Sequence, residues 1–337
     1  MKSIDVTALG ELLIDFTDSG LSPQGNPLME ANPGGAPCNV LAMLAKLGRK
    51  TAFIGKVGND LFGRQLRQAV EAVGIDTRNL LMDDEVHTTL AFVHKKPDGD
   101  RDFSFYRDPG ADIMLRAEEV DERLIADSRI FHFGSLSLTH PAVREATHRA
   151  VALAKEHGCL ISFDPNLREP LWRTLDEARE QIAWGFAQCD VLKISDNEIQ
   201  WFTGREDFDE GIAVLQEKYG IPLILLSKGP EGSSAYFGET RVDAAPFLMP
   251  NTIETTGAGD TFCACVLNAV LEHALALDRE KLSAMLRFAN AAAALVTTRK
   301  GALRVMPTPG EVEALLASRP AAKHEYVFQA AHLMGGS

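Results

Sequence analysis

The stretch "IETTGAGDTFCACVLNAVL", residues 253–271, sets two glycines and an aspartate directly before a long apolar run. Gly257 and Gly259 permit a tight turn and the close approach of an anion. The apolar residues Phe262, Val266, Leu267 and Val270 recur with the spacing of one helix face. A helix beginning near residue 258 presents unpaired N–H groups and the positive end of its dipole to whatever occupies the turn, so the stretch reads as a phosphate-binding corner. Neither GxxxxGK[ST] nor GxGxxG fits it, because no lysine follows Gly259 and Phe262 stands where the third glycine would be. A P-loop NTPase and a dinucleotide-binding dehydrogenase both lose support. Taken alone, Asp260 reads equally well as a carboxylate that complements the helix dipole.

Outward from this corner the chain alternates short β-rich runs with longer segments of helical periodicity. The runs include "TAFIGKV" (51–57), "RIFHFG" (129–134), "CLISFD" (159–164), "VLKIS" (191–195) and "PLILLS" (222–227). Helices are expected at about 60–73, 141–157, 174–188, 258–276 and 280–299, and in "PCNVLAMLAKLG", where Pro37 suits a first turn and Gly48 a stop. This alternation implies an α/β fold with a parallel sheet covered by helices. "TTLAFVHKKPDGDRDFSFYR" (88–107) departs from it by alternating apolar and polar residues on both sides of Pro-Asp-Gly-Asp, the pattern of an antiparallel hairpin. With a strand from "ELLIDF" (11–16), the hairpin forms a small sheet outside the main one, equally readable as a cover for a site or as an ordinary edge.

Composition narrows the class. Lys and Arg number 34 against 47 Asp and Glu, and the net charge of −13 argues against a broad nucleic-acid surface and for a small partner. No run approaches the roughly 18 apolar residues that span a bilayer, and the start "MKSIDVTALG" lacks the features of a signal peptide, so a cytoplasmic location is expected. Cys38, Cys159, Cys189, Cys263 and Cys265 contain no CxxC pair and are expected as reduced core residues. The nine histidines form no HExxH, which argues against a zinc enzyme.

Two further segments change the weight of Asp260. "NPGGAPCNV" (32–40) supplies a second glycine pair at a helix start with Asn39 one turn in, and "GELLIDF" (10–16) puts Asp15 near the end of an early strand. Together with "TTGAGD" (255–260), and with "AFIGKVGND", "FYRDPGAD", "FDPNLREPLW", "KISDNE" and "SKGPEG" in the same order, they resemble the ribokinase-like carbohydrate kinases of the phosphofructokinase-B type. The match covers nearly the whole chain and is nearest to the fructokinases. It implies a ribokinase-like domain over 1–318, with a mostly parallel central sheet flanked by helices, lid segments at about 11–34 and 87–110, and a tail at 319–337 with no assigned structure.

The resemblance also implies roles. Asp260 would be the base facing the hydroxyl to be phosphorylated, with the amides of Gly257, Ala258 and Gly259 as the anion hole; the helix dipole is expected to depress the Asp260 pKa. Asp15, Gly35, Asn39 and Arg168 would meet the sugar, with Phe92 and Phe105 capping it from the lid, although hairpin packing explains those phenylalanines nearly as well. Lys193, Ser227, Gly229, Gly232 and Asn290 would contact ATP, and Glu198 would influence magnesium through water. Glu254 stands where aspartate is common beside a monovalent-cation site, so potassium activation is expected to be weak. The implied reaction is phosphorylation of D-fructose to D-fructose 6-phosphate, with 2-keto-3-deoxygluconate kinase as the alternative enzyme and a sugar or nucleotide sensor as the alternative class. A homodimer through the lid is the expected assembly.

Overall fold

The computed structural model describes residues 2–95 and 101–319, with the backbone alone at 94, 95 and 101–103. The expected Pro-Asp-Gly-Asp turn, the Phe103 side chain and the tail beyond 319 lie outside the described residues. Among the described residues thirteen strands follow in chain order: β1 (Ile4–Leu9), β2 (Leu13–Leu21), β3 (Pro27–Gly34), β4 (Thr51–Gly58), β5 (Ile75–Asp83), β6 (Leu90–Lys95), β7 (Arg101–Tyr106), β8 (Ser128–Gly134), β9 (Leu160–Asp164), β10 (Val191–Ser195), β11 (Leu223–Ser227), β12 (Ser233–Phe237) and β13 (Thr240–Ala244). The helices are α1 (Ala36–Lys46), α2 (Leu61–Ala72), α3 (Glu122–Ala126), α4 (Pro141–Glu156), α5 (Leu175–Gln188), α6 (Asp196–Thr203), α7 (Phe208–Tyr219), α8 (Ala258–His273), α9 (Arg279–Val296) and α10 (Pro309–Ser318).

Nine strands form one sheet in the order β13-β12-β11-β10-β9-β8-β1-β4-β5, parallel except where β12 joins β11 and β13. Its two faces carry separate cores, as strand alternation requires: Leu223 and Leu225 pack with α1, α8 and α9, while Ile224 and Leu226 pack with α5 and α7. All five cysteines are buried and free. The other four strands form a separate sheet, β3-β2-β6-β7, and this is the expected lid. Its hairpin is antiparallel with Leu90 opposite Tyr106, while β2 runs parallel to β6.

In the large sheet the strand order reverses direction around β1, which lies between β8 and β4. In open α/β sheets such a switch opens a crevice beyond the carboxyl ends of the strands, and the lid hangs from that edge because β2 begins four residues after β1 ends.

Candidate active site

A polar cavity of about 640 Å³ lies at that crevice, walled by the residues after β1, β8 and β9, by β10, by the lid and by the start of α8. A second cavity of about 470 Å³, mostly apolar, lies on the other side of the α8 start. Thr255 and Gly259 line both, so the two spaces meet at the glycine corner.

Gly257 caps α8 with φ 76°, a left-handed conformation that favours glycine, and a Cβ there would lie 2.6 Å from the Ala302 methyl. The helix therefore begins at Ala258 and holds Asp260 in its first turn at the floor of the polar cavity. On the facing helix, Asn39 Nδ2 donates a 2.8 Å hydrogen bond to Asp260 Oδ2. The two residues are 221 positions apart and nothing in either local pattern announces the pair. The sign of the Asp260 shift corrects the sequence expectation. Burial raises its pKa against the lowering by the Asn39 hydrogen bond and by the Lys193 and Arg168 charges.

Lys193, the middle residue of β10, is buried and bridges to Asp164 at 3.0 Å. Its charge is favoured, against the cost of burial, by the Asp164 and Glu198 carboxylates. Asp164, at the end of β9, is lifted by burial to about 7 while Lys193 pulls it down and Glu198 and Asp260 push it up. Both members of the pair move upward, Asp164 through burial and Lys193 because two carboxylates act on one ammonium. A Cβ at Gly259 would lie 3.2 Å from Lys193 Nζ, so the bare glycine lets this cation reach the helix start.

On the sugar side, Asp15 lies near the beginning of β2, rather than near the end of a strand, and faces the cavity. A Cβ on Gly34 would sit 2.1 Å from Asp15 Oδ2, so the glycine pair makes room for this carboxylate. Gly35, Asn39, Arg168 and Phe105 also line the cavity. Phe92 does not. In β6 and β7 cross-strand partners share a face; Ala91 pairs with Phe105 and Phe92 with Ser104, so Phe92 points to the opposite side, stacked on Phe16 at 4.9 Å.

Sequence reading also missed two residues. Asn166 lines the cavity with φ 44°, a conformation asparagine tolerates better than most residues, and its "DPN" setting was the available signal. Glu11, 4% exposed and lifted by burial to about 7, lines the cavity and accepts a 2.8 Å hydrogen bond from Ala36 N–H.

In the apolar cavity Ser227, Gly229, Gly232 and Asn290 come together. Gly229, at φ 50°, has open space where a Cβ would point, whereas a Cβ at Gly232 would meet the Ala244 carbonyl oxygen at 2.2 Å. Asn290 spends its carboxamide internally: Oδ1 accepts from Ser233 Oγ at 2.9 Å, and Nδ2 donates to the carbonyls of Ala244 and Ala245. It thus holds the wall of the cavity in place. Glu254 is buried and its Oε1 accepts a 2.6 Å hydrogen bond from Gly301 N–H. Glu198 is similarly engaged, by Leu167 N–H at 2.8 Å and by the N–H and hydroxyl of Ser195 at 2.9 and 2.8 Å. Among the described residues no group of three or more His, Cys, Asp or Glu side chains is arranged to hold a metal ion directly.

A model of the pfkB family carbohydrate kinases matches residues 3–309. The chain belongs to the pfkB family of carbohydrate kinases. This kinase is 39% identical over 314 residues to probable fructokinase-2 of Arabidopsis thaliana, covering 92% of this chain and 95% of that one. It is 39% identical to fructokinase-1 of Zea mays over 314 residues, with 92% and 97% covered. Among solved structures, a fructokinase with bound ATP from Xylella fastidiosa superposes with a TM-score of 0.86 at 31% identity, covering 94% of the kinase and 99% of that chain. A fructokinase from Vibrio cholerae in its fructose, ADP and calcium ion bound form gives 0.83 at 30%, covering 94% and 100%. The ribokinase-like architecture expected for a carbohydrate kinase, a large mostly parallel sheet with a separate small lid, is the one observed. Among the described residues, no helix of this kinase is long and apolar enough to cross a membrane.

Proposed function

We propose that the protein is an ATP-dependent fructokinase that transfers the γ-phosphoryl group of ATP to the primary hydroxyl of D-fructose, giving D-fructose 6-phosphate. The observation that carries this reading is the junction of the two cavities at Thr255 and Gly259, one residue from Asp260. A sugar in the polar cavity and a nucleotide in the apolar one bring acceptor hydroxyl and terminal phosphate together only there. The relatives and solved neighbours carrying the fructokinase name support the choice of sugar.

In this reading Asp15 and Asn39 accept from and donate to sugar hydroxyls, Gly35 lets the backbone approach, and Phe105 closes the lid side. The hydroxyl oxygen attacks the γ-phosphorus, the bond from phosphorus to the β–γ bridging oxygen breaks, and the hydroxyl proton passes to an Asp260 oxygen late in transfer. A raised Asp260 pKa makes it the better acceptor for that proton. The amides of Gly257 and Gly259 receive the charge of the migrating group, the Ala258 N–H being donated to the Thr255 carbonyl at 3.2 Å, and Lys193 supplies a compact cation beside them. Ser227, Gly229 and Gly232 form the nucleotide wall, braced by Asn290. Glu198 would hold magnesium through water, and the ion, when bound, would supply charge neutralisation for the triphosphate.

A side-by-side measurement of ADP release with fructose and with 2-keto-3-deoxygluconate tests the substrate. The Asp15 side chain in the cavity accepts from the hydroxyls of a neutral ketose and offers nothing to a sugar carboxylate, so fructose is expected to have the higher kcat/KM and Asp15→Ala to raise its KM sharply. Arg168→Lys is expected to affect fructose less than it would affect the substrate of an acid-specific kinase. Preference for the acid, lost in Arg168→Lys, would overturn the choice of fructose while leaving the sugar kinase intact.

Potassium activation is expected to be weak, because the Glu254 carboxylate is committed to Gly301 N–H, and stronger in Glu254→Asp, whose side chain is one methylene shorter. Turnover with potassium replaced by a large organic cation at constant ionic strength reads this directly. Strong dependence in the unaltered enzyme counts against it.

A further inference from the structure

Ala36 is the first residue of α1, so its N–H has no acceptor inside the helix. The acceptor comes from 25 positions away: Glu11, just beyond β1, reaches it with Oε1 at 2.8 Å. The two segments also touch through their backbones, since a Cβ on Gly35 would lie 2.4 Å from the Glu11 carbonyl oxygen. One turn into the same helix, Asn39 Nδ2 donates to Asp260 Oδ2. Asn39 Oδ1 is buried and has no protein hydrogen-bond partner among the described residues, so the carboxamide is not held from its other side. Its position follows the helix that carries it, and Glu11 binds the first N–H of that helix.

We propose that Glu11 is a positioning residue for Asp260, acting through the first turn of α1 and the carboxamide of Asn39. A glutamate at a helix start ordinarily reaches back from within the helix; here it comes from just beyond β1, and it ties the sugar-side helix to the sheet at the point where the strand order reverses. The bond works through an acceptor oxygen aimed at the Ala36 N–H, which an amide oxygen can replace and a shorter side chain cannot reach. The inference rests on Asp260 as the group that faces the reacting hydroxyl.

The test is a double-mutant cycle on the full-length enzyme, with fructose and MgATP as substrates and amide hydrogen exchange over residues 35–41 as a second readout. Glu11→Ala is expected to lower kcat about tenfold or more, and Glu11→Gln to hold it within about threefold of the unaltered enzyme. Because Glu11 acts through Asn39, the Glu11→Ala/Asn39→Ala double variant should be no more than about twofold slower than Asn39→Ala alone. Exchange over 35–41 should quicken in Glu11→Ala, return in Glu11→Gln and stay unchanged in Asn39→Ala. Losses that multiply in the cycle, unchanged exchange in Glu11→Ala, or a Glu11→Gln variant as slow as Glu11→Ala would overturn the proposal. Should Glu11→Ala not fold, Glu11→Asp against Glu11→Gln carries the same comparison, with the shorter acid expected to be the slower. Full turnover in Asp260→Asn would sink the assignment of Asp260 instead, and the exchange readout would still report whether Glu11 orders the helix start.

Discussion

Asp260→Asn should lower kcat at least about a hundredfold, the lower end of what a positioned acid or base contributes, with smaller changes in sugar and ATP binding. The amide is nearly isosteric, so Asn39 and the α8 start keep their places while the proton acceptor is lost. The unaltered enzyme should also show an acidic limb in kcat. A raised pKa means that Asp260 takes up its proton at a higher pH than an ordinary aspartate, near 3.9, so activity is present above that raised value and is lost as pH falls through it. A purified Asp260→Asn enzyme with near-normal turnover, or a kcat that stays flat down to the ordinary aspartate range, would remove Asp260 from the chemistry.

Gly35→Ala should be the second severe change, costing stability on the order of 1–3 kcal/mol and lowering kcat/KM for the sugar by about a hundredfold. Gly35 sits at φ 128°, where side chains are strained, and the added methyl would have to occupy a point 2.4 Å from the Glu11 carbonyl oxygen. The start of α1 must then move, and with it Asn39 and the wall of the polar cavity. Gly48→Ala is the control. It has φ 83° with no atom within 4 Å of the added Cβ, so it pays the conformational cost without the collision and should retain activity. Denaturant unfolding and sugar kinetics on both variants separate the two contributions. Equal activity in the pair would show that the close approach at Gly35 does not matter.

Much of this architecture was legible because its signals are local. Strand runs such as "VLKIS" and "PLILLS" declare a sheet buried on both faces, and the glycines of "TTGAGD" and "NPGGAP" declare turns that enter helices. The hairpin showed in its alternation, and the ordered set of segments pointed to the pfkB family that the comparison over residues 3–309 then established. Register inside the lid was another matter. Phe92 and Phe105 look alike as alternating aromatics, and only the pairing of Ala91 with Phe105 shows that they face opposite ways.

The sequence by itself determined which residues turn, which alternate and which carry chemistry, because backbone freedom and side-chain period are properties of a residue and its near neighbours. Tertiary structure alone decided which of those groups meet. The Asn39–Asp260 hydrogen bond and the Glu11–Ala36 bond span 221 and 25 positions, and the commitments of Asn290, Glu198 and Glu254 depend on strands and loops distant in the chain. The sign of the Asp260 shift belongs here too. A helix dipole can be read from a motif and argues for a lowered pKa, but desolvation depends on everything packed around the carboxyl, and in this cavity it outweighs the neighbouring charges.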